Sequence, residues 1–166
     1  MPTPYDAPPD WIDRDLVLDF FWKFSVFECA LKREGFLRDG GSDSAEPNWR
    51  KFGDSIRGRF GEVSAEGFQE AVRALTAASP CRQVVREGRL DWESLQRRPE
   101  ESEEGFVLRL VRTARNNLFH GGKYPDGPIA EVARDKTILM AALRVLDGCY
   151  ELHPGVAHWA QESGAS

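Results

Sequence analysis

The chain has 166 residues, 41% of them hydrophobic and 30% charged, enough to bury roughly two thirds of its unfolded surface in one core without a second domain. Its formal net charge of −5 excludes the generally basic surface on which indiscriminate nucleic-acid binding depends, but leaves room for a local basic cleft. No apolar run approaches the roughly 18 residues a membrane-spanning helix needs.

Residues 1–10 include Pro2, Pro4, Pro8, Pro9, Asp6 and Asp10, and are expected to form a flexible arm. With no basic region and no apolar stretch, this start does not read as a signal peptide. Cys29, Cys81 and Cys149 are odd in number and far apart, the pattern of reduced thiols in a cytoplasmic protein, not of a disulfide framework.

From Asp13 to about Glu34 the periodicity predicts a helix, with Leu16, Val17, Phe20, Phe21, Phe24, Phe27 and Leu31 on a core face. A second apolar stripe, Leu18, Trp22, Val26 and Cys29, suggests cover on two sides, the second supplied by another subunit. Glu28 falls among the apolar side chains of the first face. A carboxylate there needs a cation or hydrogen-bond donors, either in a structural ion pair or beside a functional arginine.

Gly35 ends this helix, and Asp39-Gly40-Gly41-Ser42-Asp43-Ser44 has loop composition. A second helix is expected from Pro47-Asn48-Trp49, with Phe52, Ile56 and Phe60 on one face and Gly61 closing it. A third follows Ser64, with Phe68, Ala71, Val72 and Leu75, and runs to about Ala78. The stretch from Cys81 to Leu95 reads as a connector with a short helix or turn.

The acids Glu100, Glu101, Glu103 and Glu104 suit the start of a fourth helix, from about Glu104 to Phe119, because a helix N-terminus favours negative charge. Its core face holds Phe106, Val107, Leu110, Val111, Ala114 and Leu118. Arg109, Arg112 and Asn116 lie opposite, with Arg115 at the border. After a turn-rich link, a last helix runs from about Ile129 to Leu152, with Asp135 in line with its apolar face, and stops at His153-Pro154-Gly155. The expected fold is therefore all-α, a bundle of four to five main helices. One domain spans 11–160 and a flexible tail 161–166.

The segment from Gly105 to Lys123 carries Arg109, Arg112, Arg115 and Lys123 and no acid, so positive charge is concentrated there in an acidic chain. His120, His153 and His158 have no metal-ligand spacing, and phosphate-loop, dinucleotide and nucleophile-elbow motifs are missing, so neither metal nor cofactor is expected. What remains is Arg115-Asn116-Asn117-Leu118-Phe119-His120-Gly121-Gly122. These polar residues either cap the last helical carbonyls or form a site. Acid–base chemistry at neutral pH needs a group titrating there, which His120 supplies, and developing negative charge needs a fixed cation, for which Arg115 is suited. Asn116 would hold an anionic oxygen or orient the imidazole.

The run Arg115 to His120 resembles the R-x4–6-H motif of the HEPN superfamily, with Asn116 at the polar position that commonly follows the arginine. Phe24-Ser25-Val26-Phe27-Glu28-Cys29-Ala30-Leu31-Lys32 looks like the first helix of many bacterial members, including its acidic residue, and the helix from Arg134 to Leu152 is also similar. The resemblance implies an up-and-down helical bundle, homodimerisation that brings two motifs to one cleft, and metal-independent RNA cleavage leaving a 2′,3′-cyclic phosphate. Many members are toxins or phage-defence effectors, partnered by an antitoxin or other regulatory protein; others are non-catalytic modules that bind RNA, nucleotide or protein. Arg115, Asn116 and His120 would be catalytic, Arg112, Asn117 and Lys123 would bind substrate, and Glu28 and Asp135 would support them. Gly122 stands where one toxin subgroup has a tyrosine two residues after the histidine, so that subgroup's antitoxin-mediated modification is not carried over.

Overall fold

A computed structural model describes residues 13–119 and 129–164, with 129–133 described by backbone alone. In chain order these residues form α1 (Arg14–Arg33), β1 (Leu37–Asp39), β2 (Ala45–Pro47), α2 (Trp49–Ser55), α3 (Phe68–Ala77), β3 (Arg82–Arg86), β4 (Arg89–Glu93), α4 (Glu103–Phe119), α5 (Ile129–Leu152) and α6 (Pro154–Gly164). The fold is mostly helical. No helix among the described residues is long and apolar enough to cross a membrane. The expected arm over 1–10, together with His120 and Lys123, lies outside the described residues.

One apolar core joins the helices. Phe20, Phe24, Phe27 and Leu31 of α1 meet Trp49 and Phe52 of α2, Phe68 and Leu75 of α3, Val107, Leu110, Val111 and Ala114 of α4, and Leu146, Cys149 and Leu152 of α5. Burial pushes the Cys149 thiol above its usual range, with the nearby Glu104 charge adding to the effect, so it stays protonated. Asp13 starts α1 as expected of an N-cap, its carboxylate accepting from the Leu16 N–H at 3.1 Å.

Three expectations are corrected. The second helix stops at Ser55 instead of reaching Phe60, because Gly58 takes a left-handed φ of 75°. The Gly58 N–H freed there donates to the buried Glu104 carboxylate at 2.9 Å, and the chain resumes as a single 3-10 turn at Phe60–Glu62.

All-α is also too narrow, since two antiparallel hairpins are present. In the first, Leu37 pairs with Pro47 and Asp39 with Ala45, so the exposed Gly-rich loop is a hairpin connection. The second replaces the connector expected from 81 to 95: β3 and β4 pair from Arg82 with Glu93 to Arg86 with Arg89. Glu87 and Gly88 close it with φ of 51° and 74°, the doubly left-handed turn whose twist suits a two-residue hairpin. Its alternation is hard to read because neither face is fully buried, and Val85 and Leu90 remain exposed opposite each other.

Finally, Pro154 does not end the helical part but opens α6. Proline is well suited to a first helical position, and the preceding His153 caps the turn, its Nδ1 accepting from the Val156 N–H at 3.3 Å. The Trp159 indole donates to Glu34 at 3.1 Å, and Val156 is fully buried, so α6 lies along α1. Much of the expected tail is thus helical, and the cover ascribed to a second subunit comes in part from the same chain. Val26 and Cys29 are half-buried, with Ser163 of α6 3.9 Å from the Cys29 sulfur, and only Leu18 and Trp22 of the second stripe stay open.

Candidate functional site

The arginine-bearing side of α4 faces α1 across a gap bridged by side chains. Periodicity explains the arrangement: Phe21, Phe24 and Glu28 are three and four apart on α1, as are Arg112, Arg115 and Phe119 on α4, so each set lines one face. The stripes meet in antiparallel order. Phe21 touches Phe119, with ring centroids 5.4 Å apart, and the Arg115 guanidinium lies 5.6 Å from the Phe24 ring and 5.1 Å from that of Phe119.

At the third rung, Trp49 stands between Glu28 and Arg112. Its indole N–H donates to Glu28 at 3.0 Å, and the Arg112 guanidinium lies 5.9 Å from its ring. Trp49 is itself stacked on Phe27, 5.4 Å away with 16° between planes, which fixes this rung to the core.

Glu28 is therefore half-buried and bonded to an indole, not sunk in the core in an arginine ion pair. The structural ion pair is thus absent among the described residues, and what links Glu28 to an arginine is its charge, which favours the charged form of Arg112. Replacing Glu28 with Ala removes a charged acceptor and strands a buried indole donor, so it should cost about 1–3 kcal/mol, less than the roughly 3–5 expected of a broken buried ion pair. Glu28→Gln, which keeps an acceptor, should recover part of the loss in urea unfolding. Wild-type midpoints for both variants would show that the Trp49 bond contributes nothing.

The cations of α4 differ in what holds them. Arg109 is committed to structure: its fork grips the two Glu101 oxygens at 2.8 and 2.7 Å and also donates to the Gln96 carbonyl. That grip holds the Glu101 carboxyl below its usual range. Arg112 is half-buried and has no hydrogen-bond or ion-pair partner among the described residues. Burial, then repulsion from Arg38, lowers its pKa, while Glu28 and Glu46 oppose the shift. A guanidinium remains charged under such a shift, so Arg112 is a desolvated cation whose donors are open to an anion. Arg115 donates to the Asn116 side-chain oxygen at 3.1 Å.

Asn116 is exposed, as expected, beside Arg115. Asn117 is a correction. One position further round the helix, it is buried, and its amide donates to the Cys81 carbonyl at 2.7 Å. It ties the second hairpin to α4, so its amide is spent on the fold and does not share the open face of Asn116. Asp135 is half-buried near the start of α5. His120 and Lys123 lie outside the described residues; in sequence His120 directly follows Phe119, the last residue of α4.

Sequence reasoning missed Trp49 as the link between Glu28 and Arg112, and it missed Phe21 and Phe119 as part of the site. For Phe119 a signal exists, because it lies four residues after Arg115 and so on the same helix face. For Trp49 there is none, since its contact with α1 is a product of folding.

Two guanidiniums one helical turn apart, each beside aromatic rings and one of them desolvated, present donors of the kind that pair with an anion. No protein-family model, curated protein or solved structure matches the chain.

Proposed function

We propose that the protein is a metal-independent endoribonuclease of the HEPN type, with an up-and-down helical bundle, acting in the cytoplasm as a toxin or phage-defence effector. The observation that carries this reading is the pair Arg112 and Arg115 on the face of α4 that runs directly into His120 in sequence. Arg115 clamps the scissile phosphate, with Asn116 beside it. Arg112 and Lys123 hold neighbouring phosphates. His120 moves the proton: the substrate 2′-oxygen attacks phosphorus, its proton passes to a base, and the bond to the 5′-oxygen breaks as that oxygen is protonated. The products are a 2′,3′-cyclic phosphate and a 5′-hydroxyl.

The direct test is incubation of the purified protein with RNAs of varied sequence and structure in EDTA. Cleavage with cyclic-phosphate ends is expected, and intact RNA in every case would remove the nuclease reading in favour of a binding module.

A homodimer belongs to the same reading, because one small groove offers few phosphate contacts. The surface available for it is what α6 leaves uncovered: Leu18 and Trp22 of α1 beside Met140 of α5, rimmed by Asp15, Asp19 and Lys136. Sedimentation at tens of micromolar, on the order of concentrations where weak obligate pairs form, should give a dimer that Trp22→Glu dissociates. A wild-type monomer under those conditions would remove the dimer.

A further inference from the structure

The Phe21 and Phe119 rings are out of place for a chain that buries its other described phenylalanines. Phe20, Phe24, Phe27, Phe36, Phe52, Phe60 and Phe68 are nearly or fully inaccessible, and Phe106 is half-buried, whereas Phe21 and Phe119 are 44% and 47% exposed. Leaving an aromatic ring half in water forgoes much of the stabilisation its burial brings. These two stand together, with centroids 5.4 Å apart and planes inclined at 44°. One edge of the pair is charged, since the Arg115 guanidinium lies 5.1 Å from the Phe119 ring, and Asn116 is exposed beside it.

A flat apolar surface with a phosphate-seeking cation at its edge has the layout of a nucleotide, whose base lies one sugar away from its phosphate. We propose that Phe21 and Phe119 form a stacking ledge for a nucleobase next to the scissile phosphate, so that the site takes unpaired RNA and rejects duplex. This rests on the endoribonuclease reading and names its substrate class.

The physical case has three steps. A base in a duplex is covered on both faces by its neighbours, so only an unstacked base can lie on the ledge while its phosphate reaches Arg115. Stacking on an aromatic ring is tolerant of sequence, because every base has a π-face. The net charge of −5 deprives the protein of the broad basic surface with which proteins track duplex backbones, so a single phosphate grip needs a second, uncharged source of affinity.

The test uses 2′-O-methyl oligonucleotides, which lack the attacking hydroxyl and are not cleaved. Binding is measured by fluorescence anisotropy for a mixed-sequence single strand, the same strand annealed to its complement, and the same strand with abasic positions. Wild type should bind the single strand at least about tenfold more tightly than the duplex or the abasic strand. Phe119→Ala should weaken single-strand binding roughly 5- to 100-fold, as loss of one base stack does. It should weaken abasic-strand binding several-fold less than single-strand binding, and Phe119→Trp should restore the loss. Because Phe119 is half-exposed at a helix end, circular dichroism of Phe119→Ala should match wild type.

Equal wild-type affinity for single strand and duplex overturns the proposal, as does wild-type affinity in Phe119→Ala. If Phe119→Ala lowers the oligomeric state in sedimentation and loses abasic binding to the same degree, the rings belong to an interface between copies and the ledge is lost. A wild type that cleaves RNA in EDTA but shows no dependence on bases loses the ledge and keeps the nuclease reading. A wild type that neither binds nor cleaves any RNA loses both.

Discussion

His120→Ala is expected to slow RNA cleavage by roughly 10²–10⁴, the share of rate that positioned acid–base groups commonly supply. Histidine is the side chain whose unperturbed titration falls between acid and neutral pH, so one ring can accept the 2′-hydroxyl proton and another can deliver a proton to the departing 5′-oxygen. The variant should leave RNA affinity intact, because a proton-transfer group contributes to the rate and not to the grip on phosphate, and circular dichroism should match wild type. Arg115→Lys is the companion change and should fail nearly as badly. A lysine keeps the charge but loses the fork that grips two phosphate oxygens, and loses the planar packing that sets the guanidinium beside Phe24 and Phe119. Cleavage by His120→Ala at the wild-type rate would end the catalytic assignment. Equal activity of Arg115→Lys would mean that only charge is needed at that position.

The helical skeleton was legible because long amphipathic segments announce themselves. The α1 and α4 periodicities place Phe20, Phe24, Phe27, Val107, Leu110, Val111 and Ala114 inward, and these side chains are buried. Phe21 was misassigned for a reason periodicity cannot see: it falls at the margin of the core face, where burial depends on which neighbour arrives, and the neighbour is the exposed ring of Phe119. The hairpins escaped notice because a two-stranded ribbon with open faces lacks a buried alternation to read. Glu87-Gly88 is also a weaker turn signal than Asn-Gly or Asp-Gly. The sixth helix was missed because Pro154-Gly155 reads as a stop, although the same proline is acceptable one position inside a helix start.

The site was legible in part. A local excess of arginine pointed to α4, but charge counting treats its cations alike, and they are not. Arg109 is consumed by Glu101, while Arg112 rests on Trp49 and Arg115 lies beside Phe24 and Phe119. Which cation is free is decided by partners brought from other elements. The same holds for Asn117, whose neighbour in sequence is exposed while its own amide is spent on the Cys81 carbonyl.

Phe27→Ala is expected to destabilise the protein by about 3–5 kcal/mol, the cost of emptying a fully buried aromatic position. Phe27 is completely inaccessible, and its ring contacts three others: Trp49 at 5.4 Å, Phe52 at 5.4 Å and Tyr150 at 5.2 Å. It therefore joins α1 to α2 and α5, and the cavity left behind would be lined by large rings that collapse poorly. Burial, with help from Asp147, pushes the Tyr150 phenol above its usual range, so it stays neutral and brings no charge to refill the space with water. Against a typical total stability of about 5–15 kcal/mol, this loss is a large fraction, and urea unfolding should show a much lower midpoint with an unchanged slope. The consequence reaches the site, because Trp49 is stacked on Phe27 and carries both the Glu28 hydrogen bond and the Arg112 contact. In a Phe27→Leu variant, which fills most of the cavity and folds, single-strand affinity should fall although no residue of the arginine face has changed. Full affinity in that variant would show that Arg112 is positioned independently of the Trp49 stack.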